Sequence, residues 1–124
     1  MFNDAKIFSG FSVNDLQKAK QFYGDILGLQ ITEEAMGILK LHLTGGSEVI
    51  IYQKPNHVPA TFTILNFQVK NIESTVVELI SRGLTFERYD GFNADDKGIH
   101  RGYGPSIAWF KDPSGNILSV LEPS

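Results

Sequence analysis

Hydrophobic and polar positions alternate with two different periods along this chain, and the switches between them mark out its elements. Over residues 5–13 the alternation is two-fold, with Phe11 and Val13 on one side of an extended run and Phe8, Gly10 and Ser12 on the other. The period changes at Asn14 and Asp15, whose side chains accept the free N–H groups at a helix start. Leu16, Ala19, Phe22, Tyr23, Ile26 and Leu27 then recur at steps of three and four, which predicts a helix with one apolar face and Gly28 as its stop. Short extended runs follow at residues 30–34, 38–43 and 48–53, separated by Gly37 and by the cluster Thr44, Gly45, Gly46 and Ser47.

Residues 55–60 hold two prolines and no periodicity, and read as a linker. After it the same order returns. Residues 61–69 are extended, Asn71 caps a helix whose apolar face is Ile72, Val76, Leu79 and Ile80, and Gly83 ends it. Residues 84–89 are extended again, and residues 91–104 form a polar, glycine-bearing loop. The stretch from Trp109 onward reads as a hairpin, because Asp112, Pro113, Gly115 and Asn116 are the residues that reverse a chain. On its outgoing strand Ser119 sits in a row with Ile117 and Leu121, while Leu118 and Val120 face the other way. Phe11, Val13, Asp15 and Leu16 superpose on Phe67, Val69, Asn71 and Ile72 with one constant offset of 56 positions. The chain is therefore expected to be one domain over residues 1–124, made of two tandem βαβββ modules at about 5–54 and 61–122. The fold class is α+β: a curved eight-stranded sheet cup backed by two helices. A ferredoxin-like topology competes, but it needs fewer strands after each helix than the turn signals supply.

Composition narrows the function. Of 124 residues, 42% are hydrophobic and 20% charged, as in an ordinary globule, and the net charge is −3 with the basic residues scattered. No basic stripe offers a footprint for nucleic acid or for an anionic membrane. The absence of cysteine removes disulfides, thiolate zinc sites and cysteine nucleophiles together. Neither a signal-peptide pattern nor a run approaching ~18 apolar residues stands out, so a cytoplasmic location without membrane contact is the expectation. Gly98, Gly102 and Gly104 lack the Gly-Lys-Ser/Thr of a phosphate loop, and Asp90, Asp95 and Asp96 lack calcium-loop spacing.

Phe11-Ser-Val-Asn-Asp-Leu, Phe22-Tyr23, Leu27-Gly28-Leu29 and Trp109-Phe-Lys-Asp-Pro-Ser-Gly-Asn-Ile-Leu-Ser stand in an order that resembles the vicinal oxygen chelate superfamily across essentially the whole chain. That superfamily includes glyoxalase I, bleomycin-resistance proteins, fosfomycin-resistance enzymes and extradiol dioxygenases. The resemblance implies a cup that in the enzymes holds a divalent metal on His, Glu or Gln from the first and last strand of each module. Carried over by motif distance, those positions fall on Phe8, Ile51, Ile64 and Ser119. Phenylalanine and isoleucine have no donor atom, and a neutral hydroxyl is a poor ligand for Fe, Mn, Ni or Zn. The neighbours Ile50, Tyr52, Thr63 and Leu65 are no better. The resemblance therefore implies a protein with no metal, no cofactor and no catalytic residue, binding a small apolar or aromatic molecule as the drug-sequestering bleomycin-resistance branch does. It also implies a homodimer.

Period-2 counting from those positions gives the cup lining as Phe8, Gly10, Ser12, Val49, Ile51, Gln53, Ile64, Asn66, Gln68, Ile117, Ser119 and Leu121, mostly apolar with a few polar anchors. Asn66 and Gln68 either orient a ligand or satisfy each other. His100, Arg101 and Tyr103 either form a polar lid over the mouth or belong to a solvated loop. Trp109 is either an aromatic wall or core, and His42 is expected on the exposed face with Lys40. Two other readings stand beside the binding protein. One is a glyoxalase- or dioxygenase-type metalloenzyme with an unconventional ligand such as His100, and the other is a dimerisation module whose cup is filled by its own side chains.

Overall fold

The computed structural model describes residues 1–89, 93–102 and 104–124. By their contacts they form two compact units, Met1–Val58 and Pro59–Ser124.

In the first unit β1 (Ser9–Val13) leads into α1 (Leu16–Lys20), which runs on as a π-helical segment, Gln21–Ile26. Asp15 caps the helix by accepting Lys18 N–H at 3.1 Å. The sequence predicts a plain α-helix here. The widened turns instead close with Leu27 N–H donating to Phe22 C=O, and they put the adjacent Phe22 and Tyr23 both in the core. Gly28 ends the segment at φ 75°, the left-handed angle that a helix stop requires. Strands β2 (Gln30–Glu34), β3 (Ile38–His42) and β4 (Glu48–Gln53) complete a sheet of order β1-β4-β3-β2, with β1 parallel to β4. Register fixes its faces. Leu39 and Leu41 pair with Ile51 and Val49, which pair in turn with Phe11 and Ser9. These four aliphatic side chains are buried, and the Phe11 ring lies 5.6 Å from Tyr23, so this row is the helix side. Burying such a side chain is worth ~1.5–3 kcal/mol, enough to set the phase of the whole sheet.

The second unit repeats the plan. β5 (Thr63–Gln68) precedes α2 (Ile72–Ser81), which Asn71 caps by accepting Ser74 N–H at 3.0 Å. The β6 (Ser106–Lys111) and β7 (Ile117–Glu122) hairpin forms as predicted, and the sheet order is β5-β7-β6 with β5 parallel to β7. Asp112 builds the turn: its buried carboxylate accepts N–H from Ser114 and Asn116 at 2.9 Å each and from the Asn116 amide at 3.0 Å. The predicted fourth strand at residues 84–89 shrinks to one bridge, Phe86 with Phe110, plus Glu87 N–H donating to Trp109 C=O. Seven strands rather than eight are therefore formed among the described residues. The core lies between α2 (Ile72, Val76, Leu79) and Ala108, Phe110, Leu118 and Val120, all buried. No helix among the described residues is long and apolar enough to cross a membrane.

Candidate functional site

In the second unit, alternation from the buried row places Ile107, Trp109, Ile117, Ser119 and Leu121 on the face opposite α2. Asn66 and Gln68 pair with Ser119 and Leu121 and share that face. Ser119, fully buried, donates its hydroxyl proton to Asn66 Oδ1 at 2.6 Å, so the partner of Asn66 is Ser119 rather than Gln68. Trp109 pairs directly with Ser119, is partly exposed, and donates its indole N–H to Thr63 Oγ1 at 3.2 Å. The predicted lining has one error here. A bulge between Thr63 and Leu65 leaves Ile64 out of the pairing and puts Thr63, not Ile64, opposite Ile117.

The loop after α2 runs along the free edge of β6. His100 bridges Ile107 through both backbone groups, at 2.8 and 3.0 Å, and its ring stands edge-on to Trp109 with centroids 5.0 Å apart. Tyr89, which the sequence reading passed over, closes on Trp109 from 5.5 Å. Burial pushes its phenol pKa up, and its hydroxyl is enclosed with no partner among the described residues. The predicted lid divides here. His100 belongs with Trp109, Tyr103 lies outside the described residues, and Arg101 is engaged elsewhere, with Asp95 and with Glu73 of α2 at 2.8 Å. Asp95 organises the loop by accepting Lys97 and Ile99 N–H at 2.9 Å each. Burial works to raise its pKa, but those two N–H groups and the Arg101 guanidinium together hold it below the ordinary range. Lys97 first, then Arg101, hold Glu73 down likewise. Gly98 permits the fit, since its φ is 93° and a Cβ there would lie 2.8 Å from Phe86 Cβ.

The first unit's open face carries charge. Gly10 and Ser12 pair with Ile50 and Tyr52, and Lys40 and His42 lie on the same face, as the alternation predicts for His42. Ile51 was expected on this face and is instead fully buried on the helix side, with Ile50 in its place; a count along the chain cannot see a one-residue phase shift that pairing decides. Val49 and Gln53 move with it. Phe8 is exposed and lines a shallow groove of about 320 Å³ with Ile38 and Ile50, rimmed by Lys6, Glu34, Lys40 and Glu48. The rim is self-paired: Lys6 with Glu48 at 2.8 Å and Lys40 with Glu34 at 2.9 Å. Hydrogen bonding to Lys6 lowers the Glu48 pKa, and hydrogen bonding to Glu34 raises that of Lys40. Ser12 hydrogen-bonds with His57 Nδ1 at 2.6 Å.

A divalent metal does not fit these residues. The positions carried over from the superfamily hold Phe8, Ile51, Ile64 and Ser119, and Ile50 and Thr63 are what face outward in place of Ile51 and Ile64; the only oxygens in this set are the neutral hydroxyls of Thr63 and Ser119, and among the described residues no three His, Asp or Glu gather to hold an ion.

Comparison with known proteins agrees with this architecture. The family model described as Glyoxalase/Bleomycin resistance protein/Dioxygenase superfamily matches residues 8–120. Among solved structures, the antibiotic binding protein TnmS3 of a Streptomyces species superposes with a TM-score of 0.71 at 22% identity, over 98% of each chain. A glyoxalase family protein of Enterococcus faecalis gives 0.69 at 24% identity, covering 98% of this chain and 100% of its own. A glyoxalase/dioxygenase of Nostoc punctiforme gives 0.70 at 16% identity, covering 99% and 94%. No curated protein matches the chain in sequence.

Proposed function

Because the chain belongs to the Glyoxalase/Bleomycin resistance protein/Dioxygenase superfamily, we propose that it binds a small apolar or aromatic molecule on the open face of the β5-β7-β6 sheet, and does so without a metal. The observation that carries this reading is Trp109, held partly exposed on that face between the ring edges of His100 and Tyr89 and beside the Asn66–Ser119 pair. An apolar aromatic surface next to a few placed polar groups is the usual make-up of a small-molecule site. The fold shared with an antibiotic binding protein supports it, as does the donor-poor set of strand positions where related enzymes hold their metal. The homodimer belongs to the same proposal, with the exposed apolar side chains of Ile7, Phe8 and Phe62 as surface to cover.

Trp109 is the only tryptophan, so its emission reports on this face alone. Titration with 1-anilinonaphthalene-8-sulfonate and with a panel of aromatic antibiotics is expected to change that emission saturably, at concentrations on the order of micromolar. Flat titrations across the panel speak against binding. Stoichiometric Fe, Mn, Ni or Zn in the purified protein overturns the metal-free part.

A further inference from the structure

Resting on the binding reading above, we infer that the ligand is an aromatic ring system bearing a carbonyl, or an equivalent uncharged acceptor, which Asn66 recognises as a donor. Three neighbouring groups divide the hydrogen-bonding work on this face. The Trp109 indole N–H is already given to Thr63, so the indole offers a ligand its ring and no proton. Ser119 has spent its proton on Asn66 Oδ1, and full burial keeps its oxygen from meeting a ligand directly.

Asn66 is what remains. Accepting the Ser119 proton through Oδ1 fixes which way round its amide sits, and so turns Nδ2 to the free side. Asn66 is exposed, and its Nδ2 makes no hydrogen bond among the described residues. A fused ring system stacked on Trp109 and reaching over Ser119 therefore meets an outward N–H₂ two strands away, about 10 Å across the sheet. Gln68, exposed and two residues further along the same face, is the second amide within reach of a larger ligand. Lys111 and Glu87, beside Trp109 at the edge of this face, neutralise each other as a pair at 3.4 Å. Ser119 is thus a positioning residue that acts through Asn66. The pattern selects acceptors: a ligand offering only O–H or N–H toward Asn66 sets donor against donor, and a bare hydrocarbon leaves the amide desolvated and unpaired.

The experiment compares the neutral pair 9-fluorenone and fluorene by equilibrium dialysis. The two share skeleton and charge and differ only in the ring carbonyl. The ketone is expected to bind about tenfold tighter, one hydrogen bond's worth, with Asn66→Asp erasing the difference because a carboxylate has no N–H to give. Ser119→Ala releases the amide to flip and is expected to shrink the preference for the ketone. Equal affinity for the two compounds, or a preference that survives Asn66→Asp, overturns the donor assignment while the aromatic site stands. Failure of both compounds to bind, with 1-anilinonaphthalene-8-sulfonate also silent, overturns the site itself and this inference with it.

Discussion

At the scale of single residues, the side chains that matter most are those holding buried donors or tight backbone. Asp112 satisfies three donors inside the β6–β7 turn, and Asp112→Ala strands all three where water does not reach. We expect a loss of about 2–4 kcal/mol in urea unfolding, with the midpoint moving and the slope unchanged. Gly98→Ala combines a positive φ with a 2.8 Å approach to Phe86, so a cost of roughly 2 kcal/mol is expected together with a change in Trp109 near-ultraviolet dichroism as His100 is displaced. Asp112 was legible in the sequence, because Asp, Pro, Gly and Asn crowd into five positions there. Tyr89 was not: nothing local says that an aromatic in a short extended run will close on a tryptophan twenty residues away.

At the scale of elements, α2 and the loop over β6 are joined by charge. Glu73 on the first turn of the helix takes Lys97 at 3.0 Å and Arg101 at 2.8 Å, and Arg101 also reaches Asp95. Both carboxylates titrate lower in the folded protein than in the unfolded chain. The stabilisation they give is therefore complete above their ordinary values of 4.5 and 3.8 and is lost as pH falls through the lower folded values. An acid titration followed by Trp109 emission is expected to show the loop detaching only below those ordinary values. Arg101→Met removes the cation that both acids share, so the same transition is expected at higher pH; an unmoved midpoint argues against the clamp. Helix starts and stops were readable, since Asp15, Asn71 and Gly28 act through neighbours within a turn. The π-helical widening was not, because it answers the demand to bury Phe22 and Tyr23 together against a sheet formed later in the chain.

At the scale of the whole molecule, the donor-poor faces make a general prediction about ions. Zn, Ni or Mn at tenfold molar excess is expected to raise the melting temperature by less than about 1 °C, since a ligand that does not bind the native state selectively cannot stabilise it. A rise that a chelator reverses indicates a site built from other donors. The sequence by itself determined the repeat of strand, helix and strands, the two capped helices, the final hairpin and the family, because capping, turn chemistry and hydrophobic period act over a few residues. It also placed Asn66, Gln68 and Ser119 on one face, since a strand alternates whatever it pairs with, and left Trp109 open between that face and the core. Only the tertiary structure decided that Ile50 rather than Ile51 faces outward, that Thr63 displaces Ile64, and that Arg101 serves the helix while His100 serves the face. Those outcomes depend on the register between strands far apart in the chain, where a slip of one residue exchanges the two faces.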